Sequence, residues 1–451
     1  MISTPICDFA AAYESSGALR LHMPGHKGAS FLGMEGRDLT EIDGADVLYD
    51  AQGIIRESEE NARRLFDTGL TLYSTEGSSL CIRAMLYLAC LNAKSQGRRP
   101  LIAAARNAHK VFMTAAALLD APIRWLFPKE PGSVVSCALN LQETERVLKE
   151  EHPAALYVTS PDYLGNTADL STLSKLCHQY GALLMVDNAH GAYLRFLPRN
   201  RHPIHLGADL CCDSAHKTLP VLTGGAYLHI SRNAPELLRS HAQNALSLFA
   251  STSPSYLILQ SLDAANRYLA HGYAEKLAAL VPLMEDAKRI LAAYGYTVAG
   301  SEPLKLTIGT KAIGWRGDEL ADFLRENSME AEFADPDFVV MMFTPENAAG
   351  IESVVRVLCA VEKRPLLTEA PPVLSRPVPC LSPREAVMSV QERIPVEEAA
   401  GRVLASASVN CPPAVPIVVC GERIDETAVQ CFRYYGIEQI YAVQRKENAH
   451  E

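Results

Sequence analysis

The chain has 451 residues, too many for a single compact core, so two or three domains are expected. A hydrophobic share of 48% and a charged share of 21% are those of a globular protein. The formal net charge of −10 and the absence of any Lys/Arg-dense run exclude a nucleic-acid partner, whose binding rests on phosphate neutralisation.

Met1 to Ala12 lacks the basic and apolar segments of a secretory signal, and no apolar stretch reaches transmembrane length. A cytoplasmic protein with no membrane partner is therefore expected. The twelve cysteines show no paired metal-ligand spacing and read as reduced, mostly buried thiols, with no metal site.

In chain order, Leu21-His22-Met23-Pro24-Gly25-His26-Lys27-Gly28 forces a turn flanked by histidines, a structural turn or a lid. Arg37 to Ile55 reads as a long ordered arm, and Glu57 to Phe66 as a helix. Tyr73-Ser74-Thr75-Glu76-Gly77-Ser78-Ser79 then precedes a helix predicted to begin near Leu80. Glycine and small hydroxylic residues at a helix start make Gly77, Ser78 and Ser79 either ordinary cap residues or a phosphate grip.

Strand-like Leu101 to Ala105 leads into Arg106-Asn107-Ala108-His109-Lys110 and a helix to Leu119. His109 is a loop or cap residue, or an imidazole stacked on an aromatic ring just past a strand end. Further strands are predicted at Ile123 to Phe127, Ala154 to Thr159 and Ala182 to Val186, with helices at Leu141 to Glu150 and Leu170 to Tyr180. This alternation predicts an α/β fold around a mostly parallel sheet, with functional groups at strand ends. Asp187, directly after the third of these strands, is a helix cap or turn former, or a carboxylate that keeps a pyridine nitrogen protonated; His190 would support that carboxylate or the ring.

Asp213-Ser214-Ala215-His216-Lys217-Thr218-Leu219-Pro220 lies between apolar runs Ala208 to Cys212 and Ala226 to Ile230. A lysine held half-buried there has its pKa lowered by desolvation and becomes a nucleophile toward an aldehyde. We read Lys217 as forming a Schiff base with pyridoxal phosphate.

Beyond it, Ser231 to Ala245 reads as helical and Ser251-Thr252-Ser253-Pro254 as an ordered turn opening a helical segment from Tyr256 to Tyr294. Leu304 to Thr310, Asp318 to Glu326, Phe338 to Phe343 and Glu346 to Val361 give strand, helix, strand, helix. Prolines mark Lys363 to Ser382 as a linker. The tail is expected to carry a helix at Glu397 to Leu404, a turn at Cys411-Pro412-Pro413 and a strand at Ile417 to Cys420. The expected boundaries are an arm at 1–60, a large cofactor-binding domain at 61–270, a smaller α/β domain at 271–364, a linker at 365–382 and a C-terminal α+β domain at 383–451.

Together LHMPGHKG, STEGSS, RNAHK, SPDYLG, VDNAHGA, DSAHKTLP, STSPSY, PREAV and GERI, spanning about residues 20 to 424, resemble the bacterial-type ornithine/lysine/arginine decarboxylases, fold type I pyridoxal-phosphate enzymes. The chain looks like the short form, without the receiver-like N-terminal domain, and biosynthetic polyamine supply is the implied setting. The resemblance implies that Lys217 carries the cofactor, Asp187 pairs with its ring nitrogen, and His109 stacks on the ring. Gly77, Ser78, Ser79, Ser214 and His216 would surround the phosphate or the lysine, and Lys217 or His216 would protonate the product carbon. Thr252 and Ser253 would reach the neighbouring subunit's site in a homodimer or larger homo-oligomer with its site at the subunit interface. A basic amino acid needs a distal carboxylate, for which Glu332 is the candidate; the other reading is a solvated strand edge. Glu76 and Asn188 depart from the family's usual residues. The alternatives are other chemistry on the same cofactor, transamination or aldol cleavage, and a non-catalytic regulatory paralogue.

Overall fold

The computed structural model describes residues 2–130, 137–409 and 415–445. Helix α1 (Pro5–Ser15) opens the chain, with Pro5 in the first turn, where its missing N–H costs nothing. The Asp263 carboxylate accepts the N–H groups of Ile6 and Cys7 in that turn. The following arm is ordered by carboxylates rather than by regular structure. Glu35 accepts backbone N–H groups from Phe31 to Met34, and Asp46 those of Val47, Gln52, Gly53 and Ile55.

Helix α2 (Ile54–Phe66), strand β1 (Leu70–Ser74) and helix α3 (Gly77–Ser95) follow. Helix α3 begins three residues before the expected Leu80, with Glu76 at its N-cap, so Ser78 and Ser79 lie inside its first turn. Next come β2 (Ile102–Ala105), α4 (Lys110–Leu119), β3 (Ile123–Leu126), α5 (Leu141–Glu151), β4 (Ala155–Thr159), α6 (Leu170–Gln179) and β5 (Leu183–Asp187), close to their predicted bounds. Asp187 is the last residue of its strand, not the first beyond it. Then β6 (Leu210–Asp213), the single turn α7 (Ala215–Thr218) and β7 (Ala226–Ile230) enclose the lysine stretch.

The polar stretch after β7 forms two short helices, α8 (Glu236–Ser240) and α9 (Ala242–Ser247). The long helical segment is likewise divided, into α10 (Tyr256–Ala270) and α11 (Tyr273–Tyr294). Gly272, at φ +78°, takes a backbone conformation that a helix cannot continue through. Strands β8 (Thr297–Ala299), β9 (Lys305–Gly309), β10 (Phe333–Ala334) and β11 (Phe338–Met342) are interspersed with α12 (Gly317–Glu326) and followed by α13 (Ile351–Cys359).

The tail differs most from expectation. It contains β12 (Val378–Pro379), α14 (Pro383–Val387), β13 (Gln391–Pro395), β14 (Ser408–Val409), β15 (Val418–Val419), β16 (Glu422–Arg423), α15 (Glu426–Tyr434) and β17 (Gln439–Val443). The helix predicted over Glu397 to Leu404 reduces to a 3-10 turn, Val396–Glu398. Gly401 at φ +77° and bridges from Val403 to Arg423 and Leu404 to Ala442 draw that segment into extended pairing. The Cys411-Pro412-Pro413 turn lies outside the described residues.

The chain divides into two compact units, 1–99 with 169–278, and 100–168 with 279–451. In the first, the strands run β1-β7-β6-β5, with β5 and β6 parallel and β7 antiparallel to both its neighbours. These strands are buried along nearly their whole length, as a sheet covered on both faces requires. In the second, β2 pairs in parallel with β3 and β4, and β10-β11-β9-β8 form an antiparallel sheet. The tail adds its own apolar cluster in that unit, including Ile394, Leu404, Ile424, Phe432 and Ile440.

Candidate active site

In the first unit, two strand ends and one helix start carry most of the predicted residues. Ser214 occupies the N-cap position of the single turn α7 without a side-chain cap bond, and the turn places His216 and Lys217 just beyond β6. The Lys217 amine lies 3.2 Å from Nε2 of buried His190. His216 donates from Nδ1 to the Gly225 carbonyl at 3.0 Å, leaving Nε2 as its proton-accepting atom. Burial pushes the His216 imidazole below its ordinary value, and the Lys217 charge acts in the same direction.

Ser214 donates its hydroxyl proton to Ser78 Oγ at 2.8 Å, which joins the lysine turn to the start of α3. Gly77 takes φ +68°, a conformation that favours glycine, and its N–H meets the Gly224 carbonyl. Glu76 makes no side-chain cap; its carboxylate instead accepts the Ser251 N–H at 2.7 Å. The departure at Glu76 therefore faces the exposed turn that carries Thr252 and Ser253.

Asp187 is buried at the end of β5, where Oδ1 accepts the Ala189 N–H at 3.2 Å and lies 3.7 Å from the Cys212 thiol. Its neighbour Asn188 donates to Asp213 Oδ1 at 2.7 Å. Asp213 is the centre of a sealed network that no local sequence signal announces. His202 and His229 both reach its Oδ2 through Nε2, at 3.0 and 3.2 Å, and Thr71 lies 2.8 Å from His229 Nδ1. Burial alone would raise the Asp213 carboxyl, but the two imidazoles hold it well below the usual carboxylate range. Burial lowers the His229 imidazole against the opposing pull of Asp213; its Nε2–H donates to that carboxylate, and Nδ1 lies beside the Thr71 hydroxyl. Cys211 lies 3.8 Å from His202 Nε2, giving a His-Cys-Asp trio with metal-like spacing in which that nitrogen is already engaged with the Asp213 carboxylate.

In the second unit, His109 caps α4, with Nδ1 accepting the Val111 N–H at 3.3 Å. Glu332 is exposed beside β10, and the Tyr163 hydroxyl donates to its Oε1 at 2.9 Å. Burial first, and the Glu332 charge second, push the Tyr163 phenol above its ordinary value, so it remains a donor. Lys305 fixes the loop beneath by donating to the carbonyls of Asp162 and Tyr163.

The donor set of the first unit fits an anionic, pyridine-bearing aldehyde cofactor. A helix start lined by small hydroxylic residues, a buried carboxylate and an amine with an imidazole neighbour are the three groups such a molecule needs. The family model described as "Orn/Lys/Arg decarboxylase, major domain" matches residues 4–298, and the C-terminal domain of the same family matches 371–443. The chain belongs to the Orn/Lys/Arg decarboxylase family.

An arginine decarboxylase of Bacillus subtilis (strain 168) is 30% identical over 461 residues, covering 94% of this chain and 91% of its own. An arginine decarboxylase of Halalkalibacterium halodurans is 29% identical, covering 95% and 93%. Among solved structures, lysine decarboxylase A from Pseudomonas aeruginosa superposes with a TM-score of 0.79 at 17% identity, covering 98% of this chain and 80% of that one. This decarboxylase accordingly has the fold expected from its motifs, a fold type I large domain with a smaller α/β part and the family's C-terminal domain. Among the described residues no helix is long and apolar enough to cross a membrane.

Proposed function

We propose that this decarboxylase removes the α-carboxylate of a basic amino acid with pyridoxal 5'-phosphate as cofactor, releasing carbon dioxide and a primary amine. The observation that carries the reading is Lys217 on its one-turn helix, 3.2 Å from His190 and linked through Ser214 to Ser78 at the start of α3. Gly77, Ser78, Ser79 and Ser214 would hold the phosphate, Asp187 the ring nitrogen and Lys217 the aldehyde carbon. When bound, the cofactor accepts the electron pair left on the substrate's α-carbon as carbon dioxide departs.

The protein's own groups handle the proton. His190, adjacent to the Lys217 amine, exchanges a proton with it, and His216 offers Nε2 as a second carrier, its neutral form favoured by burial. By the family resemblance, His109 stacks on the cofactor ring, and Thr252 and Ser253 serve the site of a partner subunit. The arm exposes Leu19, Leu21, Phe31 and Leu32, an apolar surface that supports a homodimer. Glu332 receives the distal cation of the substrate. The arginine decarboxylases among the relatives favour arginine, with a cytoplasmic role in polyamine supply.

The test is carbon dioxide release from L-arginine, L-lysine and L-ornithine by protein supplied with pyridoxal phosphate, scored against keto-acid formation with an acceptor. Release from one of the three supports the proposal. Keto acid alone would favour transamination, and a colourless protein that cannot be reconstituted would favour a regulatory role.

A further inference from the structure

The tail motifs PREAV and GERI have no part in the chemistry above, yet each places a side chain on the segment that carries His109. Glu422 of GERI is buried and pairs with buried Arg106 through both oxygens, Nη1 to Oε1 and Nη2 to Oε2, each at 2.7 Å. Its Oε2 also accepts the Val419 N–H, which holds the carboxylate in orientation. The Arg106 guanidinium rests over Trp125 and Phe127, at 5.0 and 5.5 Å from the ring centroids.

Arg106 is the first residue after β2 and lies three positions before His109. Its backbone N–H donates to Leu126, and Asn107 donates to the Thr159 carbonyl, so the strand end is held from both neighbouring strands. At the other end of α4, Arg384 of PREAV donates to the carbonyls of Ala117 and Leu118 in the last turn, where a cation also meets the negative end of the helix dipole. The short helix α14 that bears Arg384 packs directly against α4.

We propose that the tail is a clamp on the β2–α4 element, with Glu422 and Arg384 as positioning residues that fix the height and angle of His109. The inference rests on the reading that His109 meets the cofactor ring. A buried two-oxygen pair is a suitable anchor because its geometry is planar and directional. The carbonyl cap at the far end adds a second fixed point, so α4 can neither slide nor tilt without breaking one of them.

The test uses the full-length holoenzyme, with dissociation of pyridoxal phosphate followed by protein fluorescence and its bound absorbance recorded beside activity. Three clamp variants are compared: Glu422→Gln, the paired Arg106→Met with Glu422→Met, which removes both charges together, and the exposed Arg384→Ala. Each is made with and without His109→Ala. The clamp predicts that at least the paired variant weakens cofactor retention by about fivefold and shifts the bound absorbance, and that this loss shrinks sharply when His109 is already alanine. Equal losses in both backgrounds, or lowered melting temperature with unchanged retention and absorbance, would overturn it and leave the tail as packing. If His109→Ala alone leaves retention and absorbance unchanged, the reading of His109 fails and the purpose of the clamp fails with it. A change in His109→Ala with none in the three clamp variants sinks the clamp alone.

Discussion

Asp213 and Glu332 are both carboxylates at strand ends, one in each compact unit, and they are held in opposite ways. Asp213 is sealed from solvent and answered by two imidazoles and an amide. Glu332 is exposed and answered by a single phenol. The first arrangement holds a charge that must not move, because an ion out of water is tolerable only when every lone pair is met. The second leaves acceptor capacity open, as a carboxylate must if it is to take a cation from solution. On the proposed reading, Asp213 belongs with the groups that prepare the chemistry and Glu332 with those that would bind the substrate.

The largest effect should come from the prepared side. Lys217→Ala is expected to lower carbon dioxide release by about a thousandfold or more while leaving the fold intact, checked by turnover and by circular dichroism. Residual release near that of the parent would place the nucleophile elsewhere.

Glu59 sharpens the meaning of Asp213, since it is buried in the same unit without imidazole partners. Burial pushes the Glu59 carboxyl up to about 8, against the pull of the Tyr73 N–H, and its Oε2 is buried without a hydrogen-bond partner. A raised carboxyl contributes stability that is fully present below its unfolded value near 4.5 and lost as pH rises through about 8. Glu59→Gln should therefore match the parent near pH 4 and exceed it by a few kcal/mol near pH 9 in urea unfolding. A constant difference across that range would contradict the contrast with Asp213.

On the reading side, Glu332→Gln is expected to raise KM for the preferred basic amino acid by about tenfold to a hundredfold with a smaller change in kcat. A fall in kcat alone would move Glu332 to the chemistry. Tyr163→Phe removes the phenol that orients Glu332 and should raise KM by about threefold to tenfold, with melting temperature near the parent's. Loss of stability without a KM change would assign the phenol to packing.

The strands and helices around the lysine stretch were legible because their signals are local. Apolar runs, glycine and a cap residue such as Asp169, which accepts the Thr172 N–H, lie within a few positions of the elements they specify. The motif DSAHKTLP, with Asp187 upstream, marked the candidate cofactor site for the same reason. Helix α1 escaped notice because an acceptor for its first N–H groups comes from Asp263, more than 250 positions away. The tail helix was misplaced because Leu404 and Val403 are satisfied by bridges to Ala442 and Arg423, partners that no window of sequence contains.

The chain alone thus determined which residue types were present for the chemistry and the family they resemble. Tertiary structure decided their company: two imidazoles on Asp213, a phenol on Glu332, and Glu422 on Arg106 across more than 300 positions. Charges in a folded interior are paired by proximity in space, and local periodicity carries no record of that proximity.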